Sequence, residues 1–276
     1  MTTETYAEVM AEWEKQRLAD LKNPTGYLSL VGLHWLQLGE NSFGSASTNR
    51  CQFPAGLPHE IGRFIVAEDG ISIEINSDVT VFQNGEQVGQ MAVLSDRYKG
   101  GPTIFEIGTV NWFVIKRGDA LGIRVRDSNS ELIQTFVGVD RYPAEEKWRI
   151  QGAFKPYDQP RIVPVPTILG TDEDYISPGT IDIEVDGEKR SLVALKAADP
   201  KRFFLVVADG LSGSETYGGG RFLTTEPVDD AGNIVLDFNK ATNPPCAFTP
   251  WATCPRPPDE NKFSVNIPAG EKVYGH

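Results

Sequence analysis

The chain has 276 residues, 40% hydrophobic and 23% charged, with 26 Lys and Arg against 38 Asp and Glu for a net charge of −12. That length buries one large core or two ordinary ones, and the acidic balance excludes a nucleic-acid footprint, which needs clustered basic residues. The remaining exclusions come from the order of the residues: no stretch approaches the roughly 18 apolar residues of a membrane span, and the N-terminus lacks the basic flank and apolar core of a signal peptide. Three cysteines, an odd number, suit a reducing compartment. The expectation is a cytoplasmic protein with neither nucleic-acid nor membrane partner.

The clearest helix spans residues 4–22. Tyr6, Val9, Met10 and Trp13 recur at helical spacing, and Leu18 and Leu21 extend the stripe. Thr5 and Glu8 fit a capping box, and Asn23-Pro24 stops the run. The segment GYLSLVGLHWLQLGE that follows is apolar and rich in β-formers, as a strand or hairpin is, and His34 sits within it.

From residue 41 to 127 turn signals come at short, regular intervals. Hairpins are predicted on Asp69-Gly70 and Asn84-Gly85, and three further strands around Gly108 and Gly118-Asp119. Closely spaced antiparallel strands imply a sandwich or barrel. Residues 138–160 read as a connector, with Pro143, Pro156 and Pro160 bracketing a short strand from Trp148 to Phe154. The acidic TDEDY at 171–175 reads as a solvated loop. A hairpin on Asp186-Gly187 follows, then strands at RFFLVVAD, after the glycine run at 218–220, at NIVLDF and at KFSVNIPAG. The predicted fold is mainly β: an N-terminal helix (1–24), an antiparallel β-sandwich (25–140) and a second β module (141–276).

The sandwich segment resembles a degenerate forkhead-associated (FHA) domain through Phe43-Gly44-Ser45, the hairpin at Asp69-Gly70, and Asn84-Gly85 with its following strands. The resemblance implies a protein-interaction module. That family reads phosphothreonine through an early Arg and a Ser-x-x-His segment, and both are missing: Ser45 stands where the Gly-Arg belongs, and His59 has no serine three residues earlier.

Residues able to do chemistry gather between Tyr217 and Asn261. Arg221 follows three glycines, where backbone can approach a ligand, and its guanidinium fork matches carboxylate or phosphate. Tyr217 offers a hydroxyl to the same anion. The alternative is a tight turn with Arg221 paired to a structural carboxylate such as Asp237. Asp237 and Asn239 lie two apart after an apolar strand, so they share a face and either orient a substrate or tie down the next turn. Asn243, before two prolines, has the character of a turn residue. Cys246 and Cys254 adjoin prolines but lack CxxC spacing, and the three histidines are distant, so no zinc site is expected. The ligand-binding candidates are therefore Tyr217, Arg221, Asp237, Asn239, Asn243 and Cys246. A small anionic ligand is the expected partner, with no metal and no cofactor.

The order Gly-Gly-Arg-Phe-Leu, Leu-Asp-Phe-Asn, Asn-Pro-Pro-Cys-Ala-Phe and Cys-Pro-x-Pro-Pro-x-x-Asn resembles the signature of domain-of-unknown-function family 1684. Gly-Leu-x-Trp-Leu-x-x-Gly-Glu-Asn at 32–41 and Lys-Trp-Arg at 147–149 extend the likeness along nearly the whole chain. The family lends no activity. Three readings stand: an enzyme or binder of small anions, an interaction module built on the sandwich, or a signature that only locks the fold.

Overall fold

Helix α1 (Tyr6–Leu21) opens the computed structural model, which describes residues 4–275. The predicted capping box is present: Thr5 N donates to Glu8 Oε2 at 2.7 Å, and Glu8 N to Thr5 Oγ1 at 3.4 Å. Met10 and Leu21 are buried, but Val9 and Leu18 of the predicted stripe are exposed. Their place on the inward face is taken by polar Tyr6, Glu14 and Arg17, each of which has a bonding partner in the C-terminal half of the chain. The residues divide into two compact units. One is Ala19–Phe136; the other joins the chain up to Leu18 with everything from Val137 onward.

Eleven short strands build the first of these units: β1 (Leu30–Trp35), β2 (Gly39–Gly44), β3 (Cys51–Gln52), β4 (Gly62–Ala67), β5 (Gly70–Ile75), β6 (Phe82–Gln83), β7 (Glu86–Gln87), β8 (Gln90–Ala92), β9 (Ile104–Ile107), β10 (Val110–Arg117) and β11 (Ala120–Asp127). They form two sheets, ordered β1-β11-β10-β9-β6-β7 and β3-β2-β4-β5-β8. Alternating apolar residues from both face inward, as in a sandwich. Phe43 and Phe64 of one sheet meet Trp112 and Phe105 of the other, at 5.7 and 6.4 Å between ring centroids. The predicted hairpin at Asn84-Gly85 closes with both residues at positive φ, 51° and 81°, the backbone that a two-residue turn between twisted strands requires. A short helix α2 (Glu131–Thr135) ends the unit. Its cap, Ser130, accepts from Ile133 N and donates to Leu28 O at 2.7 Å.

The second unit carries β12 (Arg149–Pro166), β13 (Asp172–Val185), β14 (Glu188–Lys196), β15 (Phe203–Val207), β16 (Arg221–Thr224) and β17 (Asn233–Asp237), in one sheet ordered β16-β15-β14-β13-β12-β17. Glu226 N donates to Val235 O of β17, so the two edge strands approach and the sheet curls on itself. Leu192, Leu205, Leu223 and Leu236 line its core, and the C-terminal coil adds Phe263, Ile267 and Ala269.

Three expectations are corrected here. The stretch read as a connector is an 18-residue strand that runs through Pro156 and Pro160, with a register shift between Pro156 and Arg161. It tolerates proline because β17 pairs only with residues 149–153, so one edge of β12 has no ladder to lose beyond that point. Residues 172–175, read as a loop, belong to β13, with Glu173 buried. KFSVNIPAG, read as a last strand, is coil with an isolated bridge at Lys262. Its Ile267 and Ala269 carbonyls accept from an arginine side chain where a strand would have offered backbone N–H groups.

Candidate functional site

That arginine is Arg221, at the start of β16 and 1% exposed. One terminal nitrogen donates to Ala269 O and, at 3.4 Å, to Glu271 O. The other donates to Ile267 O at 3.2 Å and to the Asp209 carboxylate at 2.5 Å. Its carboxylate partner is Asp209, not the Asp237 that the sequence suggested. Burial pulls the Arg221 guanidinium below its ordinary pKa, and Asp209 opposes that loss. Asp209 is fixed in turn by Leu211 N, which donates to its Oδ1 at 2.7 Å. The glycines before Arg221 make room for the protein's own groups: a Cβ on Gly220 would sit 2.5 Å from Pro257 Cγ, and one on Gly219 would sit 2.5 Å from the Tyr217 ring.

Asp237 and Asn239 form a second cluster. β17 ends at Asp237, and Asn239 lies in the 3-10 turn Phe238–Lys240. Asp237 Oδ1 accepts from Asn239 N at 3.2 Å and Asn239 Nδ2 at 3.0 Å, the turn-tying arrangement. Tyr6 OH donates to Asp237 at 2.9 Å, and Asn239 Nδ2 lies 2.8 Å from that hydroxyl. Arg149 and Lys240 stand 3.7 and 3.8 Å from Asp237 Oδ2. Burial, with Asp237 alongside, pushes the Tyr6 hydroxyl well above its ordinary pKa. Asn239 also spans to Glu145, accepting from its N at 3.1 Å and donating to its O at 2.9 Å. These groups face one another and hold β17 to the segment before β12.

Asn243 is buried beside Glu271. Its N donates to Glu271 Oε2 at 2.6 Å and its Nδ2 to Lys272 O at 2.7 Å. Glu271 also takes Arg17 at 2.8 Å and Arg141 at 3.5 Å, so α1, the start of the second unit and the C-terminal coil converge on one carboxylate. Asp209, Glu271 and Arg141 carry no signal in the sequence, and Tyr6 reads there only as part of the helical stripe. Nothing in the spacing of Asp209-Gly210 or Gly270-Glu271 separates them from ordinary turn residues.

Tyr217, Cys246 and Cys254 make a third cluster. Tyr217 OH donates to Cys246 O at 3.2 Å, and Cys246 N donates to Cys254 Sγ at 3.2 Å. Neither cysteine is in a disulfide; Cys246 is half-buried and Cys254 buried. Among the described residues no three His, Cys, Asp or Glu side chains are grouped to hold a metal ion.

A large cleft lies in the first unit, away from the candidates named from sequence. It measures about 910 Å³ and is lined mainly by polar groups. β1 supplies Leu33, His34 and Trp35; β2 supplies Glu40 and Ser42; β4 supplies Gly62 and Arg63; Thr48, Asn49, Arg50, Glu60 and Asn76 come from connections. Gly62 is held close against β5: a Cβ there would lie 2.1 Å from Glu74 O. Some lining groups are committed internally. Asn49 Nδ2 donates to His59 O at 2.7 Å, and Arg63 pairs with Glu74 at 2.5 Å and with Glu40 at 3.7 Å. Others are not. His34 Nε2 is shielded from solvent without a hydrogen-bond partner, and burial holds the imidazole below its ordinary pKa. The exposed Arg50 guanidinium has no carboxylate within ion-pair distance among the described residues. Its apolar, β-forming residues mark β1 as a strand, but nothing in it announces a cleft shared with β2 and β4.

Fold and sites together define a mainly β protein of two units, one a sandwich with an open polar cleft, the other a curled sheet braced by buried ion pairs. The chain belongs to the family described as Protein of unknown function (DUF1684), whose model matches residues 134–272. The match takes in Lys147-Trp148-Arg149 and the signature from the glycine run onward; the similar segment at 32–41 lies outside it. A solution NMR structure of an uncharacterized protein of Haloarcula marismortui is 29% identical, over 53% of this chain and 82% of that one, with a TM-score of 0.45. No curated protein matches the chain. Among the described residues, no helix is long and apolar enough to cross a membrane.

Proposed function

We propose that this protein binds a small polar molecule carrying a carboxylate or phosphate, and that the cleft of the first unit is where it does so. One observation carries the reading: the cleft lining includes His34, whose Nε2 is sheltered and unbonded, and Arg50, whose guanidinium has no carboxylate within ion-pair distance among the described residues. A sheltered polar atom without a partner costs on the order of 1–3 kcal/mol, a cost that a ligand oxygen in hydrogen-bond reach removes. Glu40 and Glu60 on the same walls suit a ligand that also bears an amine or hydroxyls. Arg221, the first choice for an anion from sequence, is spent on Asp209 and three carbonyls, which supports a bracing role for the signature. The segment Gly32 to Asn41, which is similar to the same family and lies outside the matched residues, supplies Leu33, His34, Trp35 and Glu40 to the cleft.

The FHA-like likeness of the sandwich fits this reading in architecture and not in ligand, since the residues that would hold phosphothreonine are missing. Three cysteines outside any disulfide support a reducing, cytoplasmic setting. The test is a thermal-shift screen of the full chain against small carboxylates and phosphates, repeated with Arg50→Ala and His34→Gln. The expected result is a stabilising hit whose affinity falls about tenfold or more in Arg50→Ala, since a charge-assisted contact is worth about 1.5–3 kcal/mol. A screen without hits, or a hit indifferent to both substitutions, would overturn it.

A further inference from the structure

The Tyr217, Cys246 and Cys254 cluster has no part in the cleft, and its arrangement is that of a reactive pair. Cys246 N donates to Cys254 Sγ at 3.2 Å and Tyr217 OH donates to Cys246 O at 3.2 Å, so both cysteines and the tyrosine hydroxyl meet at one turn. Proline and backbone bonds hold the two segments in place. Cys246 sits in the 3-10 turn Pro245–Ala247. Ile168 N donates to Cys254 O at 3.0 Å, and Arg256 N to Pro166 O at 2.6 Å, so the second thiol is pinned to the tip of the β12–β13 hairpin. The missing side chains of Gly219 and Gly220 leave space for the Tyr217 ring and for Pro257.

Cys51 supplies an internal contrast. It is fully buried among Phe43, Phe53 and Trp112, and burial pushes its thiol up to about 11. The Cys246 thiol moves the other way, lowered by its bond to Cys254 and then by Tyr217 and Arg256. A half-buried thiol with a lowered pKa, whose own backbone N–H binds a second cysteine sulfur at 3.2 Å, has the features of a redox-active cysteine.

We propose that Cys246 and Cys254 form a hydroperoxide-reactive dithiol, with Cys246 as the attacking sulfur and Cys254 as the resolving one. The Cys246 thiolate attacks the terminal oxygen of a hydroperoxide. An S–O bond forms, the O–O bond breaks, and the departing alkoxide or hydroxide takes up the proton that left Cys246. Cys254 then attacks the sulfenic sulfur. The S–S bond forms, the S–O bond breaks, and hydroxide leaves with the Cys254 proton as water. Two thiols and one hydroperoxide yield one disulfide, one alcohol (or water) and one water, the two electrons passing from sulfur to oxygen. Tyr217 is a positioning residue, holding the turn through Cys246 O and its hydroxyl against the thiol.

The test uses the reduced full chain and one equivalent of hydrogen peroxide, followed by thiol counting and peptide mass mapping. The expected product has lost two hydrogens, keeps one free thiol, and links Cys246 to Cys254. Cys246 is expected to react about tenfold or more faster than Cys51. Cys254→Ser should leave a sulfenic acid on Cys246, trapped by dimedone; Cys246→Ser should give neither disulfide nor adduct, and Cys51→Ser should change nothing. Because a substitution can disturb the turn, the iodoacetamide rate of each cysteine in the unaltered chain is measured against pH. Cys246 should alkylate with a midpoint below the ordinary 8.5 of a free thiol, and Tyr217→Phe should raise that midpoint. Equal, slow oxidation of all three cysteines, a disulfide through Cys51, or a Cys246 midpoint at or above 8.5 would overturn the proposal.

Discussion

Replacing Arg221 by methionine keeps a long apolar stem and removes the charge, the sharpest perturbation of the second unit. In the folded protein it strands the Asp209 carboxylate, 2% exposed, without its ion-pair partner, and deprives the carbonyls of Ile267, Ala269 and Glu271 of a donor. Removing one partner of a buried pair costs about 3–5 kcal/mol. Three weakened carbonyl contacts add about 1 kcal/mol each at most, less where water reaches them. The expected loss is on the order of 5 kcal/mol, a large share of the roughly 5–15 kcal/mol that holds a domain folded. Arg221→Lys, which keeps the charge but cannot span four acceptors, should lose about half as much. Adding Asp209→Asn to Arg221→Met should recover about 2 kcal/mol, because the stranded charge goes while the bond to Leu211 N can remain. Urea unfolding followed by tryptophan fluorescence, with five tryptophans to report, measures all of these. A loss below about 1 kcal/mol for Arg221→Met, or no recovery in the double variant, would refute the reasoning.

Gly220→Ala should destabilise the same unit by about 2 kcal/mol or more, by urea unfolding, because the backbone there has φ +88° and the new Cβ collides with Pro257. Thr5→Ala should cost about 1 kcal/mol through the lost capping box of α1, measured the same way. The Glu188 carboxyl is lowered to about 2, first by its bond to Ser264 and further by Arg190 and Val265 N. A depressed carboxylate stabilises the fold above its unfolded pKa of about 4.3 and loses that contribution as pH falls through about 2. Glu188→Gln should therefore flatten stability against pH in that window, by fluorescence-monitored unfolding. Phosphothreonine peptides should show no micromolar affinity by calorimetry, since the Arg and Ser expected to hold the phosphate are absent.

Much of the fold was legible because it is written in local chemistry. Asp186-Gly187 and Asn84-Gly85 take the positive-φ pairs their turns demand, and alternation along β10 and β11 put Trp112 and Val125 inside. The long strand β12 was not legible, because proline argues against a strand unless one knows that its outer edge has no partner. The last coil misled for a related reason: Phe263, Ile267 and Ala269 bury apolar groups as a strand would, while its carbonyls are met by Arg221, a partner 46 or more residues away. Among the candidate residues, the tie between Asp237 and Asn239 follows from their spacing. The joining of Tyr217 to Cys246, and of Arg221 to Asp209, depends on how separate loops meet, and no local pattern records that. The cleft was invisible because strands β1, β2 and β4 contribute to it from two sheets.

Titration of the isotope-labelled chain with a small carboxylate or phosphate identified by the screen, followed by NMR of the His34 imidazole and the backbone amides, tests the central claim. An anion bound beside His34 favours the charged ring, so binding should raise the His34 pKa, and affinity should grow as pH falls through the pKa of the bound form. The account predicts saturable shifts at His34, Ser42, Thr48 and Arg50, lost together in Arg50→Ala. Saturation at other residues with His34 unmoved, or shifts at the cleft that persist unchanged in Arg50→Ala, would contradict it.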